Sequence, residues 1–162
     1  MRRHFVYILA AALLILAQAN IVTLFSIRNV TPDLLLIFIA SLAVREGQLY
    51  TLPWGFLIGL VIDLTTGTVI GLSALSKTAA AFTAGFFYGE NKVMLNVATY
   101  RFLVVVFITA FIHNAVYFLI FTQGSDVGIF GAVFGIGLAS TLFTTTVAVL
   151  PMLVAARKRG TI

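Results

Sequence analysis

Residues 100–121 read YRFLVVVFITAFIHNAVYFLIF, and this run decides the fold class. Its only charged side chain is Arg101, at the start, and a helix needs about 20 apolar residues to cross a bilayer. In hydrocarbon, backbone polar groups find partners within a single segment only in a helix. The run therefore predicts a membrane-spanning helix.

The rest of the chain has the same character. Of its 162 residues, 61% are hydrophobic and 9% are charged, with a mean hydropathy of +1.12. Soluble domains carry about 25% charged residues. This composition excludes a soluble globular enzyme and a disordered chain. We expect one all-α domain over 1–162, a polytopic bundle of six transmembrane helices.

The six spans are placed on apolar stretches. The second and third are short, so we expect local bilayer thinning or burial among neighbours. The last is long, and Pro151 predicts a kink in it. Ala17-Gln18-Ala19 has the form of a signal-peptidase site, but the apolar run continues beyond it and predicts an uncleaved helix. The predicted spans lie near 5–26, 31–44, 51–66, 72–88, 100–121 and 129–156.

Basic residues fix the predicted orientation. With the N-terminus inside, only Arg28 lies in an outer segment, and Lys77 lies within a span. The positive-inside rule then predicts that both termini are cytoplasmic, and it explains the formal charge of +5 without nucleic acid. The predicted inner residues are Arg2, Arg3, Arg45, Lys92, Arg101, Arg157, Lys158 and Arg159.

The most specific motif is a row of small residues at every fourth position. Such a row forms a groove on a helix, against which another helix can pack closely. Internal packing and a surface for a partner helix both explain it. A shorter row, Gly131 and Gly135, lies in the last span. The first row consists of Gly55, Gly59, Asp63, Gly67 and Gly71.

Charged residues within spans are costly and need partners. Asp63 and Lys77 reach similar depths on adjacent antiparallel helices, so we predict an ion pair or a shared polar network. In the alternative, Asp63 binds the loop backbone and Lys77 extends to the interface. Thr31, Pro32 and Asp33 are predicted as the cap and first turn of the second helix.

Other polar side chains lie in the predicted outer halves of the spans. Interhelical hydrogen bonds are the simpler explanation. The alternative is an outward-opening polar pocket, lined by Asp63, Lys77, His113 and Asn114. One histidine without a second ligand predicts no metal site, and no cofactor motif is present.

Pro32-Asp33-Leu34-Leu35-Leu36 and the glycine-rich run at 55–71 resemble the MreD family of bacterial rod shape-determining membrane proteins. The resemblance implies a non-catalytic protein of the inner membrane and of the cell-elongation complex. Its implied partners are MreC, a RodA glycosyltransferase, a penicillin-binding transpeptidase, the MreB filament and membrane lipid. It also implies a fold similar to the substrate-binding subunits of energy-coupling-factor transporters.

Two other functions are weighed. An outward pocket would suit a substrate-binding transporter subunit. Gly71-Leu72-Ser73-Ala74 resembles the Gly-x-Ser of rhomboid proteases, with His113 as the base, but their usual His–Asn pair is absent and Ser73 is predicted as a helix cap. The inner loop 89–99 is either an interfacial turn or a docking site.

Overall fold

The computed structural model describes residues 2–22, 30–89, 93–123 and 128–158, and its regular elements are helices. The predicted Arg28, Lys92 and Arg159 positions lie outside the described residues. The helices are α1 (Arg2–Ala17, continued by a π-helical turn, Gln18–Val22), α2 (Leu34–Glu46), α3 (Gln48–Thr66), α4 (Leu72–Gly85), α5 (Val93–Val97), α6 (Tyr100–Phe121), a π-helical segment (Gly131–Gly137), α7 (Leu138–Val147) and α8 (Val149–Lys158).

Helices occupy all six predicted stretches, which confirms the all-α class. Within the described residues, three helices are long and apolar enough to cross a membrane: Gln48–Thr66, Tyr100–Phe121 and Gly131–Arg157. The apolar helix His4–Asn20 is shorter. The chain is therefore a membrane-type helical protein.

The centre of the bundle is formed by two short helices, α2 and α4. They have 13 and 14 residues, and they pack on each other and on α3 and α6. Leu35, Ile39 and Ala40 of α2 are fully buried. Alanines line the buried face of α4, and their small side chains let the neighbouring helices approach closely. Burial thus accompanies short length in α2, as predicted. The prediction of a short third span is wrong, because α3 begins at Gln48 and its 19 residues are enough to cross a membrane.

The first glycine row holds α3 against α4. A Cβ atom at Gly59 would lie 2.4 Å from the Ala74 Cα, and one at Gly55 would lie 2.8 Å from the Lys77 carbonyl oxygen. Gly67, at φ 67°, ends α3, and Gly71, at φ 98°, precedes α4. Contact with α4 therefore occupies the faces of Gly55 and Gly59.

The helix of the last span is interrupted near Pro151. The interruption is at Ala148, where ψ is −12°. Pro151 has no N–H to donate to the carbonyl four residues earlier, and its ring crowds that carbonyl. The interruption at Ala148 therefore lies next to the carbonyl that Pro151 leaves without a donor, as the proline predicts.

The starts of α2 and α4 differ from prediction. α2 begins at Leu34, and Asp33 is its cap, with Oδ1 accepting a 2.9 Å hydrogen bond from the Leu36 N–H. The predicted cap at Thr31 is wrong, because other helices bind that backbone. Ser73 is not the cap of α4, since the helix begins at Leu72 after Gly71.

The described part of the inner loop packs against the bundle. Val97 of α5 is buried in the core with Ala43 and Phe102. Asn96 donates a 2.9 Å hydrogen bond to the Phe87 carbonyl. These contacts tie the loop to α2 and α6.

Candidate functional site

A buried polar cluster lies at the end of the bundle where α1 ends and α2 begins. Lys77 Nζ of α4 donates a hydrogen bond to Asp33 Oδ2, forming an ion pair in which the lysine side chain is 4% exposed. His113 Nε2 of α6 lies 3.8 Å from the same oxygen. The Asp33 side chain is 18% exposed. Three helices thus meet at one carboxylate.

The predicted ion pair between Asp63 and Lys77 is wrong, because backbone donors at the start of α4 surround Asp63. Its carboxylate accepts hydrogen bonds from the N–H groups of Gly71 (2.9 Å), Ser73 (3.0 Å) and Ala74 (3.2 Å). The first N–H groups of a helix lack intrahelical partners and carry partial positive charge. Asp63 therefore stabilises the turn between α3 and α4, as the alternative prediction stated. The other half of that alternative, that Lys77 extends to the interface, is wrong, because Lys77 is buried and pairs with Asp33.

Residues 31–34, which precede and begin α2, are bound by side chains from two other helices. Gln18 donates to the Pro32 carbonyl (3.1 Å) and accepts from the Leu34 N–H (2.9 Å). Ser140 donates to the Thr31 carbonyl (2.9 Å), and the Asp33 N–H donates to Thr144 Oγ1 (3.0 Å). These bonds give partners to the backbone N–H and C=O groups of an extended segment inside the bundle. They also hold the Asp33 carboxylate in place.

A polar pocket of about 500 Å³ adjoins this segment. Of its predicted lining residues, His113 and Asn114 line it; Lys77 and Asp63 do not. Asn114 also donates a 3.0 Å hydrogen bond to Thr141 Oγ1. The lining residues are Gln18, Thr31, Asp33, His113, Asn114, Tyr117, Phe118, Phe121, Ile136 and Ser140.

Two buried polar atoms on α6 have no hydrogen-bond partner in the part of the chain that the structure describes. They are His113 Nδ1 and Thr109 Oγ1, one helical turn apart. His113 as a residue is 7% exposed and Thr109 is fully buried. An unpaired buried polar group costs about 1–3 kcal/mol, so each calls for an explanation.

The second glycine row contrasts with the first. A Cβ atom at Gly131 or Gly135 would meet nothing within 4 Å. Phe130 and Phe134, on the same segment, are 78% and 56% exposed. This surface, the face of Gly131, Gly135 and Phe134, is open in the described chain.

The arrangement of a serine protease is not found among the described residues. No hydrogen bond joins Ser73 to His113, and the nearest carboxylate to the imidazole is that of Asp33. No group of three histidine, aspartate or glutamate side chains in the described ranges could hold a metal ion.

The role of Asp33 in this site is not predicted from the sequence. The predicted place of Asp33 at the helix start accounts for only one of its carboxylate oxygens. The available signal was that Asp33 and Lys77 both lie in the first two turns of predicted spans that start at the same end of the bundle. Gln18, Ser140 and Thr144 carry no motif that would have identified them.

Comparison with known proteins gives one match. No curated protein and no solved structure matches the chain, so the expected likeness to energy-coupling-factor subunits has no support. The family model described as rod shape-determining protein MreD matches residues 1–152, nearly the full length. The chain therefore belongs to the MreD family of rod shape-determining proteins.

Proposed function

We propose that this chain is a non-catalytic, multi-pass scaffold of the cell-elongation complex in the bacterial inner membrane. It binds an MreC-like single-span protein and supports peptidoglycan synthesis. It works beside the RodA glycosyltransferase, the penicillin-binding transpeptidase and the MreB filament. The family match and the apolar helices support this proposal.

The open face of Gly131, Gly135 and Phe134 is the observation that carries the proposal. Lipid tails are as apolar as leucine, so helices associate in membranes through close packing and a few polar bonds. Glycines lower the surface of a helix and let a second backbone approach. The row at Gly55 and Gly59 is filled by α4, so the last span is the candidate docking face.

Introducing a bulky side chain at this face by mutation tests the proposal. Gly135→Trp should reduce co-purification of the MreC-like protein in mild detergent by about tenfold, because the indole separates the two helices by more than their packing tolerates. Leu64→Trp is the matched control, since Leu64 is 62% exposed on α3 and away from the last span. Cell width should increase with Gly135→Trp alone.

Co-purification that is equal for Gly135→Trp and Leu64→Trp would contradict the proposed face. Loss of the partner with Leu64→Trp alone would move the interface to α3. Both proteins should be checked for equal abundance in the membrane, so that reduced capture reports binding.

The polar pocket favours a second candidate, a substrate-binding transporter subunit. A scaffold keeps its protein partner through purification, whereas a carrier keeps a small molecule. Mass spectrometry of the protein extracted under native conditions distinguishes the two.

A further inference from the structure

We infer that the polar pocket beside Asp33 binds a neutral, hydroxyl-bearing head group, such as a hexose. This inference goes beyond the proposed scaffold function, because it concerns a small-molecule ligand and not a protein partner. The pocket volume of about 500 Å³ lies within the range of about 300–1,000 Å³ for small-molecule sites.

The charges at the pocket disfavour an ion. Asp33 supplies the carboxylate of the lining, which repels an anion. Lys77, behind it and nearly fully buried, already neutralises that carboxylate, so a cation gains little. A neutral ligand carries no charge that must lose its water on entering the pocket, so it avoids the desolvation cost that an anion or a cation would meet.

The hydrogen-bonding groups of the pocket suit hydroxyls. His113 lines the pocket, and a neutral imidazole has one donor nitrogen and one acceptor nitrogen. A hydroxyl can donate or accept, so it can pair with polar groups of either kind on this lining. The Asn114 amide and the Ser140 hydroxyl lie on the same lining.

One wall of the pocket is aromatic. Tyr117 and Phe121 stack with their rings 5.8 Å apart and 16° from parallel, and Phe118 lies edge-on to Tyr117. The apolar face of a sugar ring packs against such rings, while its hydroxyls point to polar side chains. The pocket lies at the helix ends, which the positive-inside rule predicts to be the outer surface of the membrane.

Binding of octyl glucoside to the full chain tests the inference. The protein is held in phosphatidylcholine nanodiscs, whose lipid heads carry no hydroxyl, and radiolabelled glucoside is added below its critical micelle concentration. Empty nanodiscs give the background. We expect saturable binding, and at least tenfold weaker binding of octyl sulfate and octyltrimethylammonium.

Variants assign the binding to the pocket. Ile136→Trp fills the lining from an exposed position, 40% exposed, without removing a buried polar group. Tyr117→Ala removes a ring from the aromatic wall. Both should weaken glucoside binding at least tenfold. Tyr100→Ala, at the opposite end of α6, and Thr109→Val, one turn below His113, are the matched controls and should leave affinity unchanged.

Free glucose separates the two sources of such a head group. Equal affinity for glucose and octyl glucoside indicates a soluble sugar, and much tighter binding of the glucoside indicates a membrane amphiphile; both results support the inference. Equal binding of the charged octyl compounds would overturn it, as would absence of saturable glucoside binding. Unchanged affinity in Ile136→Trp would also overturn it.

Discussion

The Asp33 carboxylate joins helices that are distant in sequence. It caps α2 through one oxygen and pairs with Lys77 of α4 through the other. Moving two charges into a low-dielectric interior costs several kcal/mol per ion, and their attraction offsets this cost only when both remain in place. The pair therefore favours one arrangement of α2 against α4, since any other would leave a charge unpaired.

Removal of the lysine charge tests this argument. Lys77→Met should lower the free energy of unfolding by about 3–5 kcal/mol, because it leaves the Asp33 carboxylate buried without its counterion. Adding Asp33→Asn to Lys77→Met should recover most of the loss, since the amide oxygen can still cap α2. Reversible unfolding in mixed micelles measures the free energy of unfolding of the wild-type protein, the single variant and the double variant.

Arg101→Met is the control for loss of a basic residue, because Arg101 is exposed at the start of α6. It should change stability by less than about 0.5 kcal/mol. A double variant no more stable than Lys77→Met would show that the charge of Asp33 is not the source of the loss.

At the scale of the elements, α3 and α4 form a hairpin in which two features act together. Glycines on α3 allow close backbone contact, and Asp63 binds the N–H groups at the start of α4. The close contact brings the start of α4 within hydrogen-bonding distance of the Asp63 side chain, which is short. The same closeness leaves little tolerance for added atoms at Gly59.

A pair of alanine substitutions measures that tolerance. Gly59→Ala places a Cβ atom 2.4 Å from the Ala74 Cα, so the two helices must separate, and we expect a loss of about 3 kcal/mol or more. Gly131→Ala meets open space and should change stability by less than about 1 kcal/mol, with helix propensity favouring a gain. The stabilities of the two variants are compared through their unfolding midpoints, measured in the same detergent.

Equal effects of the two substitutions would contradict the assignment of one row to packing inside the bundle and the other to an open face. A stable Gly59→Ala protein would mean that α3 and α4 can separate at little cost.

Helix positions were predictable because the length of an apolar stretch is enough to indicate a spanning helix. The helix α6, for example, has the predicted bounds. The pairing of side chains was not predictable in this way. The rise per residue gave Asp63 and Lys77 similar depths, but depth does not determine the direction in which a side chain points around its helix. The non-helical residues before α2 were also missed, because Gln18 and Ser140, which hold them, come from distant segments.

At the scale of the whole molecule, long helices surround short ones. Thirteen residues of α2 rise about 20 Å, less than the roughly 30 Å of a bilayer core. Burial among neighbours removes the need for α2 to match the lipid. The polar segment before it adjoins the pocket, which Thr31 and Asp33 help to line.

The orientation of this architecture can be tested because the chain has no cysteine. Single cysteines at Leu49 and Ile70, which are 87% and 69% exposed at opposite ends of α3 and its following turn, report the two faces. The basic residues predict that Leu49→Cys faces the cytoplasm. A membrane-impermeant maleimide should label Ile70→Cys in intact cells and Leu49→Cys only after lysis. Tyr100→Cys and Phe121→Cys, at the two ends of α6, repeat the test, and labelling of both from one side would contradict a membrane-spanning α6.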